Sequence, residues 1–241
     1  MSVLKPRGGI LSLSVIAVIL ASASSGAQSL SAFSKQKAER LLQERLPCLG
    51  CHKLKRDGGT IGPDLTTVRE RRSRAYIAAM ISDPQRVVPG SAMPRILMPE
   101  STRRLIIQYL EELPGTATDD GATNSRPATA DAGNRSATQS TPDGPALYAR
   151  LCASCHGAGG KGDGPNATNL PVQPAVHSSG EAMSARPDDS LFDTIASGGA
   201  VMNRSPRMPA FGATLSAAEI RALVRHIRTL CRCEGPAWSR K

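Results

Sequence analysis

The sequence predicts an all-α protein: two small helical domains joined by a flexible linker, behind an N-terminal export signal. Three observations predict it. Apolar residues recur at helical spacing on both sides of the chain's middle. The same order of features occurs twice: helix, CxxCH, Gly/Pro loop, helix, Met-Pro, final helix. Between the copies, residues 116–143 are mostly Ala, Thr, Asp, Asn, Ser, Gly and Pro with almost no large apolar side chain, so this stretch cannot bury enough surface to offset ordering. The duplication lies in organisation and not in close sequence identity.

The N-terminus comes first. Lys5 and Arg7 precede an apolar run from Ile10 to Leu20, followed by Ala21-Ser22-Ala23 and Ser25-Gly26-Ala27. That is a charged n-region, a short h-region and two A-x-A-like cleavage options. The run is shorter than the roughly 20 residues of a spanning helix. Residues 1–27 therefore read as a cleaved secretory signal, with an uncleaved anchor as the alternative, and the mature chain is expected in the periplasm. A first domain over 28–115, a linker over 116–143, a second domain over 144–231 and a tail over 232–241 complete the division. As a random coil the linker would span about 30 Å.

In the first domain Phe33, Ala38, Leu41, Leu42 and Leu46 form a helical stripe. Ser73 caps a helix through Tyr76, Ile77 and Met80, stopped by Pro84. A third helix follows Pro99, with Leu105, Ile106, Tyr109, Leu110 and Leu113 on its apolar face. In the second domain Pro145 to Leu151 leads into Cys152, and Asp188 or Asp189 starts a helix through Leu191, Phe192 and Ile195 that ends at Gly198-Gly199. Ser216 and Glu219 form a capping-box pattern ahead of Ile220, Leu223, Val224, Ile227 and Leu230. No strand signal of comparable strength is present.

Two motifs carry the chemistry: Cys48-Leu49-Gly50-Cys51-His52 and Cys152-Ala153-Ser154-Cys155-His156. The spacing reads as c-type haem attachment, in which two thiols reach one porphyrin edge and the adjacent His supplies an axial nitrogen. A zinc site would bring Cys/His pairs closer in sequence and close all four positions. A redox dithiol would need a strand–helix context that neither motif has. The expected cofactors are two covalently attached haem c groups with their iron.

The sixth ligand decides between electron transfer and ligand chemistry. Met93-Pro94 and Met98-Pro99 compete in the first domain. In the second, Met208-Pro209 lies 18 residues before His226, and the matching helix position in the first is Tyr109, 16 residues after Met93 and 11 after Met98. Met93 keeps the register and is favoured over Met98, as Met208 is over Met202; the other two methionines then pack. His177, in a Pro-rich loop, is the spare candidate ligand, and His226 is given a packing or surface role. A thioether raises the potential relative to imidazole and leaves the iron no open position, which suits an electron carrier and not a peroxidase. No catalytic residue is assigned.

Lys+Arg exceed Asp+Glu by enough to give a formal charge of +10, or +8 without Lys5 and Arg7. Such a surface favours redox partners with acidic docking faces, or an anionic membrane face. With aromatics at 3% and no basic run interleaved with them, nucleic acid is a poor partner.

From about Ser31 to Leu113 and from Pro145 to Leu230, these residues resemble a tandem class I cytochrome c, a dihaem c-type cytochrome. In the first domain Cys48, Cys51, His52, Gly62-Pro63-Asp64-Leu65 and Met93-Pro94 stand in the family's order. The resemblance implies that the Pro63 carbonyl receives the axial His52 ring, which would fix its tautomer. In the second domain Gly162-Asp163-Gly164-Pro165 resembles a longer-loop variety, with the carbonyl of Pro165 or Pro174 as the corresponding acceptor. The resemblance implies a periplasmic shuttle of single electrons, or the haem subunit of a membrane oxidase, reductase or dehydrogenase complex. A haem enzyme such as a peroxidase or sulfur-compound oxidoreductase is the remaining reading. Cys231 and Cys233 depart from the pattern. A Cys-x-Cys disulfide encloses a small ring, so packing of the tail with Trp238 is the default, beside an intermolecular bridge or a further ligand.

Each domain has fewer than a hundred residues and few aromatics, which is thin for an independent core. A covalently held haem would supply the missing apolar centre. Neither domain is therefore expected to fold without it, and a cooperative unfolding transition in the haem-free chain, followed by circular dichroism, would overturn that expectation.

Overall fold

Ser31 begins the first helix by accepting the Ser34 N–H on its hydroxyl at 3.1 Å. The structure, a computed structural model, describes residues 29–113 and 142–239; the expected signal at 1–27 and nearly all of the expected linker lie outside the described residues. Helix α1 (Ala32–Glu44) buries Ala38 and Leu42. Phe33, expected on the same stripe, is 74% exposed. Nine residues separate it from Leu42, which at 3.6 residues per turn is about 180° around the helix, so it faces away from the core. Leu30 packs on the core instead, its N–H held by the Glu112 carboxylate at 2.8 Å.

After α1 a single 3₁₀ turn (Pro47–Gly50) carries the first motif. A two-residue antiparallel pair follows, β1 (Lys53–Leu54) and β2 (Asp57–Gly58), with Lys53 opposite Gly58. Two residues are too few to show the alternation by which a strand is read from sequence. Lys55 at φ 57° and Gly58 at φ 104° make the tight return. Helices α2 (Val68–Arg71), α3 (Arg74–Ser82) and α4 (Pro84–Val87) come next. Ser73 caps α3 through the Tyr76 N–H at 3.2 Å, and Pro84 both ends that helix and opens the next. Helix α5 (Glu100–Glu111) lays Ile106, Ile107, Tyr109 and Leu110 inward.

The second half follows the same scheme. Helix α6 (Gly144–Leu151) starts on Asp143, whose carboxylate accepts the Ala146 N–H at 3.1 Å. Helix α7 (Ala153–His156) carries the second motif, followed by α8 (Gly180–Ser184), α9 (Asp188–Ser197) and α10 (Ala217–Cys231). The Ser216–Glu219 capping box forms in full. Gly144 lets α6 cross α10 closely: a Cβ there would lie 2.3 Å from the Ala222 carbonyl oxygen.

The helices gather around two hydrophobic cores. One is built on Leu42, Leu49, Ile106, Tyr109 and Leu110, the other on Tyr148, Met183, Leu191, Leu223 and Ile227. The mostly helical fold matches the expectation. The end of α10 does not. Arg232 takes a left-handed conformation (φ 49°), and the turn brings Cys233 back beside Cys231, with Cα atoms 5.1 Å apart. The two cysteines form a disulfide with each other. Trp238, expected to pack with them, is 80% exposed. Among the described residues no helix is long and apolar enough to cross a membrane.

The two ends of α1 carry opposite predictions. Leu42→Ala removes a fully buried side chain and is expected to cost about 2–5 kcal/mol. Phe33→Ala should stay within about 0.5 kcal/mol. Thermal unfolding of both variants checks the pair, and equal losses would place Phe33 in the core.

Candidate haem-attachment sites

The first motif begins in a 3₁₀ turn that ends at Gly50, the second lies on a helical turn that ends on His156, and in each a loop carbonyl holds the histidine ring. The Cys48 carbonyl accepts the His52 N–H at 2.9 Å, and the Cys152 carbonyl accepts that of His156 at 2.9 Å. His52 Nδ1 then donates to the Pro63 carbonyl at 2.8 Å. His156 Nδ1 donates to the Ala175 carbonyl at 3.0 Å. Neither Pro165 nor Pro174 takes that bond, because the longer loop presents the carbonyl one residue beyond Pro174. With Nδ1 committed, each ring presents Nε2 as its free nitrogen. Burial holds both imidazoles below the usual histidine range, which keeps them neutral as a metal requires.

The four motif thiols are unbonded to one another and half-buried. Burial raises Cys48 to about 11, Cys51 to about 12 and Cys152 to about 12. Thiols held protonated in this way are poor attacking groups for disulfide exchange. Among the described residues no three His, Cys, Asp or Glu side chains gather as a metal cage. Two features fit a large planar group held at the motif. A Cβ on Gly62 would lie 2.6–3.1 Å from three atoms of the His52 ring, so glycine keeps that face clear. Arg207 is buried, and its Nε and Nη1 have no hydrogen-bond partner among the described residues, although its charge is felt at the Cys48 thiol. Those two N–H groups can receive a carboxylate of such a group.

The four candidate methionines sit in different surroundings. Met208 packs against the second core. In the first half Met98 packs against the core. Met93 is half-buried outside it, its backbone carbonyl accepting from Gln85 Nε2 at 3.3 Å. Met202 lines a surface hollow with Trp238. His177 stacks face to face on His156, centroids 4.1 Å apart at 13°, and its Nδ1 meets the Tyr148 hydroxyl at 3.0 Å. The His177 ring thus lies flat against the His156 ring and would back that imidazole where it holds a metal. His226 lies edge-on to Tyr148, in a packing role.

The two motifs also face each other across the contact between the halves, which the sequence did not signal. Asn166, fully buried, donates from Nδ2 to the Gly50 carbonyl at 2.7 Å and to Cys155 Sγ at 3.4 Å. Its Oδ1 accepts the Thr60 N–H at 3.0 Å. Arg207 pairs with Asp57 at 2.7 Å, and the Arg95 N–H donates to Thr214 Oγ1 at 2.9 Å.

Residues 139–227 match the family described as cytochrome c oxidase, cbb3-type, subunit III. No curated protein matches the chain. A chain of the Kuenenia stuttgartiensis reducing HAO-like protein complex aligns at 21% identity with a TM-score of 0.32, covering 84% of this chain and 97% of that one. The family match supports a c-type cytochrome, with the covalent haem and electron transfer that such a domain implies.

Glycine at position 62 is open to test. Gly62→Ala forces the His52 ring to move and is expected to cost about 1–3 kcal/mol. Gly159→Ala, with nothing within 4 Å of its Cβ, should stay within about 0.5 kcal/mol. Unfolding midpoints of the two variants settle the matter, and an unperturbed Gly62→Ala would show that the ring has room.

Proposed function

We propose that the chain is a periplasmic dihaem cytochrome c that passes single electrons between a donor and an acceptor. The observation that carries this reading is one geometry built twice. In both halves a CxxCH turn presents two unpaired thiols and an imidazole whose Nδ1 proton is fixed on a loop carbonyl. Cys48 and Cys51 would hold one haem c and Cys152 and Cys155 the other, and the bound groups supply iron that takes up and returns one electron at a time.

The chain's own residues set the conditions. The Pro63 and Ala175 carbonyls keep His52 and His156 in the tautomer that offers Nε2, and raise its basicity. A methionine thioether at the remaining position closes it to oxygen and peroxide and favours the reduced state relative to imidazole. Met208 is that ligand in the second half. In the first, register favours Met93, while Met98 has the observation that it, like Met208, packs against its core. The basic surface draws an acidic partner into brief encounters that weaken as salt rises. Membership of a membrane oxidase or dehydrogenase complex is the second reading, favoured by the family description matched over 139–227.

A spectroelectrochemical titration of the purified protein tests the proposal, with two haems per chain and two one-electron steps expected. The weak red band of Met-ligated ferric haem should fall by about half in Met208→Ala. Met93→Ala and Met98→Ala then compete for the other half. A full band after Met208→Ala would overturn the assignment in the second half, and a full band in both first-half variants would overturn methionine ligation there.

A further inference from the structure

We propose that Asn166 couples the two attachment motifs into one redox unit, with the halves docked so that an electron passes between the two centres inside the chain. The proposal rests on the dihaem reading above. One electron leaves the reduced centre and enters the oxidised one, so the chain's charge is unchanged and no proton has to move.

The geometry at Asn166 is specific. Its backbone N–H donates to the Ser154 carbonyl at 2.9 Å, inside the second motif. Its side chain reaches the Gly50 carbonyl, inside the first. Gly50 O belongs to the peptide that leads directly into Cys51, and the other Nδ2 hydrogen points to Cys155 Sγ. A short run of covalent and hydrogen bonds thus links one sulfur of each motif through a single buried amide. The reverse orientation would set Oδ1 against the Gly50 carbonyl and is excluded by it. Both neighbouring glycines are needed for the approach. A Cβ on Gly59 would lie 2.7 Å from Asn166 Oδ1, and one on Gly50 would lie 2.0 Å from the Arg207 carbonyl oxygen. Packing alone does not require asparagine here, because an apolar side chain fills such a space without the cost of burying an amide. The Asp57–Arg207 pair and the Asn169–Thr60 bond at 3.3 Å hold the same contact from either side. Electronic coupling falls less steeply through bonds than through gaps, so this link favours exchange between the motifs. The apposed edges also cover each other, and an outside partner has to dock elsewhere.

The test is flash reduction of the full-length haem-loaded protein, followed by the rate at which the two centres equilibrate. In the unaltered protein the rate should be independent of protein concentration. Asn166→Leu, which keeps the volume and removes the link, is expected to slow equilibration at least tenfold while haem count and both ligand spectra stay unchanged. Asp57→Asn keeps the Asn166 link while removing the ion pair across the contact, and serves if the first variant fails to mature: its rate should fall and depend less on ionic strength than that of the unaltered protein, and an unchanged rate and salt dependence would overturn the docked arrangement. Two haems with an unchanged rate in Asn166→Leu would overturn this proposal alone, as would a concentration-dependent rate in the unaltered protein. One haem per chain would overturn the dihaem reading and this proposal with it.

Discussion

The hydrogen bond from a motif imidazole to a loop carbonyl is the constraint around which each half is arranged. An imidazole has two nitrogens, and a metal needs one of them unprotonated and pointing in a fixed direction. The CxxCH turn fixes where His52 and His156 start, but the ring can still rotate. Pro63 at 2.8 Å and Ala175 at 3.0 Å remove that freedom, and each is brought there by the loop that follows its motif. The tight hairpin after Cys51 and the glycine at 62 follow from the same requirement: the chain has to return within one loop to face the ring it has just placed. In the second half the loop is longer, and His177 stacks on His156.

The contact between the halves has a different physical basis from either core. The cores are apolar and close on their own helices, with α5 against α1 and α6 against α10. The contact is polar: a buried amide, a partly buried ion pair and two further hydrogen bonds. Polar groups buried without partners are costly, and here the Asn166 amide has both N–H groups and its oxygen engaged. Arg207 is the exception, with two N–H groups that have no partner among the described residues. A fully satisfied amide fixes relative position more sharply than an apolar surface does, because sliding by an ångström breaks every bond at once.

Much of the helical scheme was legible in the sequence. Ser73 and Ser216 announced two helix starts through cap chemistry that is local in the chain. The motifs announced themselves by spacing. What was illegible depended on contacts between residues far apart. Phe33 fell on the wrong side because five apolar residues near helical spacing do not say which of them faces the neighbour. The Cys231–Cys233 disulfide depends on Arg232 turning left-handed, a conformation that an arginine does not advertise. Ala175 could not be chosen over its proline neighbours because a backbone carbonyl carries no side-chain signature.

Asn166 is the clearest case of the last kind. In the sequence it is one polar residue in a Gly/Pro loop, where asparagine is ordinary turn chemistry. Its significance comes from meeting Gly50, which is more than a hundred residues away and reads as a spacer within its own motif. A CxxCH motif constrains its two intervening residues very little, so a glycine there is free to serve something outside the motif. In the structure Gly50 admits the Arg207 backbone and offers its carbonyl to Asn166. The identity of that spacer is therefore explained by the opposite half of the chain, and the two motifs are better understood as one paired site than as two copies of a local pattern.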